Sequence, residues 1–279
     1  MYKRILAAVN EFTNSEVAAR YASALAKSCQ AKLFLAFVAE EKVDRDKLRH
    51  AESALERLFL EAEDSGVEVE NIIESGGPLK KITGLVKEQD IDIVFTATRR
   101  EDVKKRFFVR TISRQLMVKL SCSVAMVRVV RMGGIHPRNI LVPLRGSTAD
   151  IEERAYFIAK LAEGAGSSVT LFHSHKPITS FFHGELHLTP FQREAHIPKD
   201  VEEFRRHLHH YKIPHEKKTG RGGIARAITI EAAHKKNDLI VMGASERSLL
   251  KTIIKGNPME QVLRETPCNL IIFRAGRKS

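Results

Sequence analysis

Arg4-Ile5-Leu6-Ala7-Ala8-Val9-Asn10 returns as Asn139-Ile140-Leu141-Val142-Pro143-Leu144-Arg145, 135 residues further on when Ile5 is laid over Ile140. Each is a short apolar run closed by polar residues, the pattern of a strand buried on both faces. Two later echoes follow. Asp92-Ile93-Val94-Phe95 matches Leu239-Ile240-Val241-Met242, and Cys122-Ser123-Val124-Ala125-Met126-Val127 matches Cys268-Asn269-Leu270-Ile271-Ile272-Phe273 at an offset of 146 (Cys122 to Cys268). The chain therefore reads as two copies of one unit. Growth of the offset from 135 to 146 gives the second copy about 11 extra residues between its second and third strands, in the loop-like stretch from His173 to about Lys199. Gly133, Gly134 and Pro137 interrupt the apolar pattern between Arg131 and Arg138, so domains are expected over 1–132 and 138–279.

Working outward within the first copy, β-branched runs alternate with stretches of helical period. Strands are predicted at Ile5 to Val9, Ala31 to Val38, Glu68 to Glu74, Ile91 to Thr96 and Ser123 to Val130. Helices are predicted at Ser15 to Ser28, Asp46 to Ser65, Pro78 to Glu88 and Val109 to Lys119. Strands separated by helices of this length require right-handed crossovers and a parallel sheet covered on both faces. The fold class is α/β, with two doubly wound, Rossmann-like five-stranded parallel-sheet domains in tandem. Ligands in such sheets lie beyond the carboxyl ends of the strands where strand order switches, which directs attention to the loops after the first and fourth strands.

Composition narrows the classes. The 279 residues are 43% hydrophobic and 29% charged, and no apolar run approaches the roughly 18 residues of a membrane span. The opening Met1 to Phe12 has no apolar h-region or small-residue cleavage site and reads as a first strand, giving a cytoplasmic expectation. Cys29, Cys122 and Cys268 are odd in number and far apart, which argues against disulfides and a cysteine zinc site. The net charge of +12 invites a nucleic-acid reading. Ten Lys/Arg between Arg99 and Arg131, against Glu101 and Asp102, hold +8 of it, while Glu40 to Glu74 carries −7. A solvated basic helix face paired with the acidic helix is the favoured reading, and nucleic acid and membrane are not expected as partners.

The second copy supplies a more specific pattern. Leu239-Ile240-Val241-Met242-Gly243-Ala244-Ser245 leads through a basic stretch to Lys255-Gly256-Asn257-Pro258-Met259-Glu260-Gln261-Val262-Leu263. The copy closes with Thr266-Pro267-Cys268-Asn269-Leu270-Ile271-Ile272-Phe273. With the opening strand ending in Val-Pro, this resembles the universal stress protein family, and the whole chain resembles a tandem member. The resemblance implies antiparallel association of the last strands of paired domains, hence an internal pseudo-dimer, with a further homodimer. Family members that bind ATP carry Gly-x2-Gly-x9-Gly-Ser/Thr after the fourth strand and an Asp closing the first. Such glycines let backbone N–H groups approach phosphates at a helix N-terminus. In the second copy Gly243 and Gly256 remain, whereas Glu246 takes the middle glycine, Asn257 the hydroxyl position and Arg145 the Asp position. In the first copy Thr96 and Arg110 replace the outer glycines, Arg99 falls near the middle one and Asn10 replaces the Asp, in a loop one residue longer; only Thr111 keeps its hydroxyl. The resemblance thus implies ATP or AMP in the C-terminal domain alone, held by Pro143, Leu144, Arg145, Met242, Gly243, Gly256 and Asn257.

Nine of the twelve histidines lie between His173 and His215. His173-x-His175, His183-x-Glu185-x-His187 and His207-x-His209-His210 have metal-compatible spacings without a metalloprotease motif, and no metal is expected. No P-loop, nucleophile elbow or dinucleotide fingerprint follows a strand. The expected function is a non-catalytic stress-response or signalling protein. The alternatives are a nucleotide-hydrolysing or adenylyl-transferring enzyme and a ligand-free interaction scaffold, the latter with its C-terminal crevice filled by side chains.

Overall fold

The computed structural model of the chain describes residues 1–40, 45–98, 111–133, 135–144, 150–175, 199–244 and 258–277. The first copy runs β1 (Arg4–Val9), α1 (Thr13–Cys29), β2 (Lys32–Ala39), α2 (Arg45–Asp64), β3 (Val69–Ser75), α3 (Pro78–Glu88), β4 (Ile93–Thr98), α4 (Ile112–Lys119) and β5 (Ser123–Arg128). The second runs β6 (Asn139–Leu144), α5 (Ile151–Ala165), β7 (Ser168–His175), α6 (Lys199–His210), β8 (His215–Arg221), α7 (Ile224–His234), β9 (Leu239–Gly243), α8 (Pro258–Glu265) and β10 (Asn269–Arg274). The strands join in one sheet of order β3-β2-β1-β4-β5-β10-β9-β6-β7-β8. Every pair within a copy is parallel; β5 and β10 meet antiparallel, Met126 opposite Ile272 and Val127 opposite Ile271. Two doubly wound domains thus share a continuous sheet, and among the described residues no helix is long and apolar enough to cross a membrane.

Strand starts locate the extra residues of the second copy. Arg4 to Asn139 is an offset of 135 and Lys32 to Ser168 one of 136, but Val69 to His215 is 146, so the addition falls between the second and third strands. Most of the loop-like stretch expected there, 176–198, lies outside the described residues.

The fourth strand starts later than the sequence pattern suggests, at Ile93, and the cause is visible. The Asp92 carboxylate accepts the backbone N–H of Lys3 at 2.6 Å and of Arg4 at 2.9 Å, tying the entry of β4 to that of β1. Asp238 does the same for Arg138 (2.9 Å) and Asn139 (3.2 Å) in the second copy. Asp92 therefore corresponds to Asp238, not Leu239, and the fourth strands keep the offset of 146. In consequence Ala97, not Thr96, corresponds to Gly243, and Ala97 to Ile112 spans as many residues as Gly243 to Pro258, so the first copy's loop is not one residue longer.

Two apolar layers sandwich the sheet, and each runs through both copies. One contains α1, α2, α5 and α6; the other contains α3, α4, α7 and α8. Alternate strand residues feed each layer, as Leu6 and Ala7 do. Phe157 of α5 stacks on Phe273 of β10 with centroids 4.5 Å apart and lies 6.2 Å from Phe95 of β4, so one ring bridges the domains. Helices α1 and α5 also meet across the seam. A Cβ at Gly164 would overlap Ser28 Oγ and lie 3.1 Å from the Ala24 carbonyl oxygen, so the helix approach depends on glycine here. Gly164→Val is expected to cost about 1–3 kcal/mol through overpacking, read by thermal denaturation as a melting temperature several degrees lower. Gly133→Val, where a Cβ meets nothing within 4 Å, should melt with the parent.

Candidate functional site

Each domain places the carboxyl ends of its first and fourth strands side by side, β1 beside β4 and β6 beside β9. These are the two switch points, and the copies furnish them differently.

In the second domain the register Ile140 to Leu239 and Leu141 to Ile240, carried forward, sets Pro143 and Leu144 level with Met242 and Gly243. Four members of the sequence-derived set therefore stand at the ends of adjacent strands, with Leu144 in one apolar layer and Met242 in the other, while Arg145, Gly256 and Asn257 lie outside the described residues, as does Glu246. Leu144 is buried and its carbonyl oxygen lies 3.0 Å from His173 Nδ1, which fixes that imidazole across β6 and β7.

Arg154, a residue the motif comparison did not single out, occupies the space above Gly243. A Cβ at position 243 would overlap its guanidinium, which would have to swing aside to admit any other residue. Arg154 is half-buried in the first turn of α5 and makes no ion pair among the described residues. Desolvation pulls its pKa down to about 10, with Asp150 opposing the shift, so the group stays cationic at neutral pH. Arg154 shares the first turn of α5 with Glu152 and Glu153, which complement the positive end of the helix macrodipole. That placement was readable in the sequence, as was the fact that Arg154 falls opposite Ala19 in the first copy at the offset of 135.

The first domain, where the resemblance implies no phosphate cradle, contains a cavity of about 410 Å³ at its switch point. Ala8 to Phe12, the end of β1 and the turn after it, run along one side, Thr96 and Ala97 of β4 form the other, and Thr111 to Ser113 close it at the start of α4. Asn10 shapes the turn: its Oδ1 accepts the Phe12 N–H at 3.0 Å, and its backbone N–H donates to Ser15 Oγ at 3.0 Å. Glu11, Glu40 and Lys47 bring charge to the rim, and none of them makes an ion pair among the described residues. Arg99 and Arg110, the residues expected at the degenerate loop, lie outside the described residues.

The basic strip is not one solvated face. Arg114 and Arg128 are buried while Lys119 and Arg131 are exposed; the other basic residues of the strip, Arg99 to Arg110, lie outside the described residues. Nor does it pair with the acidic helix as expected among the described residues: Glu61 of α2 takes a two-pronged bond from Arg20 of α1 (2.7 and 2.8 Å), and Arg114 reaches the other domain. Of the histidines, His207, His209 and His210 lie on α6, whereas His183 and His187 fall outside the described residues. No group of three or more metal-ligating side chains occurs among the described residues. The thiols are not primed as nucleophiles: burial pushes Cys122 up to about 12 and Cys268 up to about 11, and raises Cys29 as well.

The universal stress protein family matches the chain twice, over residues 1–128 and 136–274. Among solved structures, a universal stress protein from Archaeoglobus fulgidus aligns with TM-score 0.65 at 16% identity over 98% of this chain and 96% of that one. A putative universal stress protein from Pseudomonas aeruginosa aligns with TM-score 0.63 at 16% identity, covering 98% and 93%. The cytoplasmic domain of a prokaryotic cation chloride cotransporter gives TM-score 0.60 at 13% identity, covering 99% and 96%. At these identities the structural likeness establishes the fold. No curated protein matches the sequence.

The raised thiol pKa values carry a direct expectation. At pH 8 the thiolate fraction of Cys122 and Cys268 is small in the folded protein, so both should react with a thiol-labelling reagent far more slowly than in denaturant. Peptide-resolved labelling by mass spectrometry checks this.

Proposed function

The chain belongs to the universal stress protein family, and from that premise we propose that it is a non-catalytic stress-response or signalling protein binding ATP or AMP in its C-terminal domain. The single observation that carries the reading is the half-buried guanidinium of Arg154 lying over Gly243 with no ion pair among the described residues. A desolvated cation of this kind gains most from a phosphate, whose oxygens accept the planar fork in a charge-assisted pair. Pro143, Leu144 and Met242 are the proposed apolar contacts at the strand ends, while Gly243, Gly256 and Asn257, with Arg145, complete the proposed set. The domains are proposed as 1–132 and 138–279, the setting as cytoplasmic, and a homodimer as the larger assembly.

A second reading rests on a different observation, the cavity of about 410 Å³ in the first domain, a volume in the range of small-molecule sites. In that reading the small ligand sits between Asn10 and Thr96, and the C-terminal crevice is closed by its own arginine.

Calorimetric titration of the full chain with ATP and AMP tests both. The leading reading expects saturable heat that falls about 10- to 100-fold in affinity in Arg154→Gln, the worth of one hydrogen-bonded charge pair, and disappears in Gly256→Glu. Ala8→Leu, which fills the first cavity, should leave it unchanged. Loss in Ala8→Leu with retention in Arg154→Gln transfers the function to the first domain. Silence at millimolar nucleotide removes nucleotide binding at either crevice, and phosphate release that vanishes in Gly243→Asp would favour an enzyme.

A further inference from the structure

The antiparallel seam has a two-fold character that can be located by residue number. Corresponding positions of the last strands differ by 146, and Met126 lies opposite Ile272, its own counterpart. A residue that meets its counterpart lies on the pseudo-two-fold axis. On the face of the sheet covered by α4 and α8, Arg114 meets Glu260, which is again its counterpart at 146. Arg114 Nη1 donates to Glu260 Oε1 at 2.8 Å, with the two side chains 3% and 15% exposed.

Away from the axis the copies keep the same residue in the same role. Arg128 donates to the Val129 carbonyl oxygen and its counterpart Arg274 to that of Ala275, each at 2.7 Å. Tyr21 and Tyr156, counterparts at 135, both face the seam: Tyr21 accepts a bond from Asn269 Nδ2 at 3.2 Å, and Tyr156 packs edge-on to Tyr2 at 5.4 Å. On the axis itself, identical charges would face each other. There the copies carry opposite signs instead.

We propose that Arg114 and Glu260 make the seam selective by charge, so that the first domain accepts a second-domain face and rejects a copy of itself. Two first domains joined by this face, from two chains, would bury Arg114 against Arg114. Two second domains would bury Glu260 against Glu260. Either places like charges within a few ångströms in a site where desolvation already lowers the basicity of Arg114 and only an opposite charge offsets it. The partner that fits is a domain with a carboxylate at the axis: the chain's own second domain, or that of another copy by exchange. The selectivity is independent of whether either crevice binds nucleotide.

Full-length Arg114→Glu and Glu260→Arg each create a like-charge axis and are expected to melt about 6–12 °C below the parent. The double exchange Arg114→Glu/Glu260→Arg restores the pair with its sense reversed and should melt within about 2 °C of the parent and remain one chain by light scattering. Co-expression of the two single variants gives a second reading that survives if neither folds alone. Each supplies the other's missing charge, so a 1:1 two-chain species should form that neither variant makes by itself. Single variants that melt with the parent, a double exchange as unstable as the singles, or no two-chain species on co-expression would each overturn the selectivity.

Discussion

The antiparallel pairing of β5 with β10 is the constraint on which the molecule depends. Both strands are buried along their whole length, and in a separated domain each would be the outer strand of an apolar sheet, with unpaired N–H and C=O groups open to association. Joining them removes both edges at once and leaves the outer positions to β3 and β8. The latter carries Lys217 and Lys218, charges suited to an edge. The bridging side chains follow from that junction. Glu153 of the second domain accepts from Tyr2 at 3.2 Å and from Ser123, while Ser123 Oγ receives the Gly276 N–H at 2.8 Å. The mirrored position, Asn269, accepts the N–H groups of Val130 (2.8 Å) and Arg131 (2.9 Å). Arg274 reaches back to the carbonyl oxygens of Leu120 (2.8 Å) and Cys122 (2.6 Å). Buried polar groups of this kind are tolerated because they are paired across the seam, so the domains are mutually required for their satisfaction.

The seam lies at the last strands and so does not involve either switch point, at the carboxyl ends of the first and fourth strands. Duplication supplied two crevices of one topology, and substitution made them unlike. One received an arginine over a glycine; the other has an alanine at each of those two places, Ala19 and Ala97, and keeps a cavity. Chemistry differs accordingly: in the second domain a cation with no ion pair among the described residues, and in the first a rim where Glu11 and Glu40 outnumber Lys47.

Much of the fold was legible because it is written in a local code. Apolar runs of strand length, helical periodicity and the returning Arg4-to-Asn10 pattern gave the ten strands, the doubly wound class and the place of the insertion. Boundaries were less legible, and Asp92 shows why. Nothing in its neighbourhood marks it as a staple for the N–H groups of Lys3 and Arg4, since those donors are almost ninety residues away in the chain. Missing the staple shifted the comparison of the fourth strands by one residue and assigned Thr96 the place that belongs to Ala97. The candidate site was half legible. Gly243 stood out as a retained motif glycine, yet its occupant Arg154 sits on a different element, brought over it by the crossover from β6 to α5.

The sequence by itself determined that this is a duplicated α/β chain and which strand ends face a crevice, because periodicity and repetition need only near neighbours to be expressed. Tertiary structure alone decided which residues meet across distance: Arg154 with Gly243, Arg114 with Glu260, Ser28 with Gly164. A formal charge of +12 says nothing about where a guanidinium is desolvated. Only packing, which sets the distance and the surrounding dielectric for each charge, pairs Arg114 with Glu260 across the domains and lays Arg154 over Gly243.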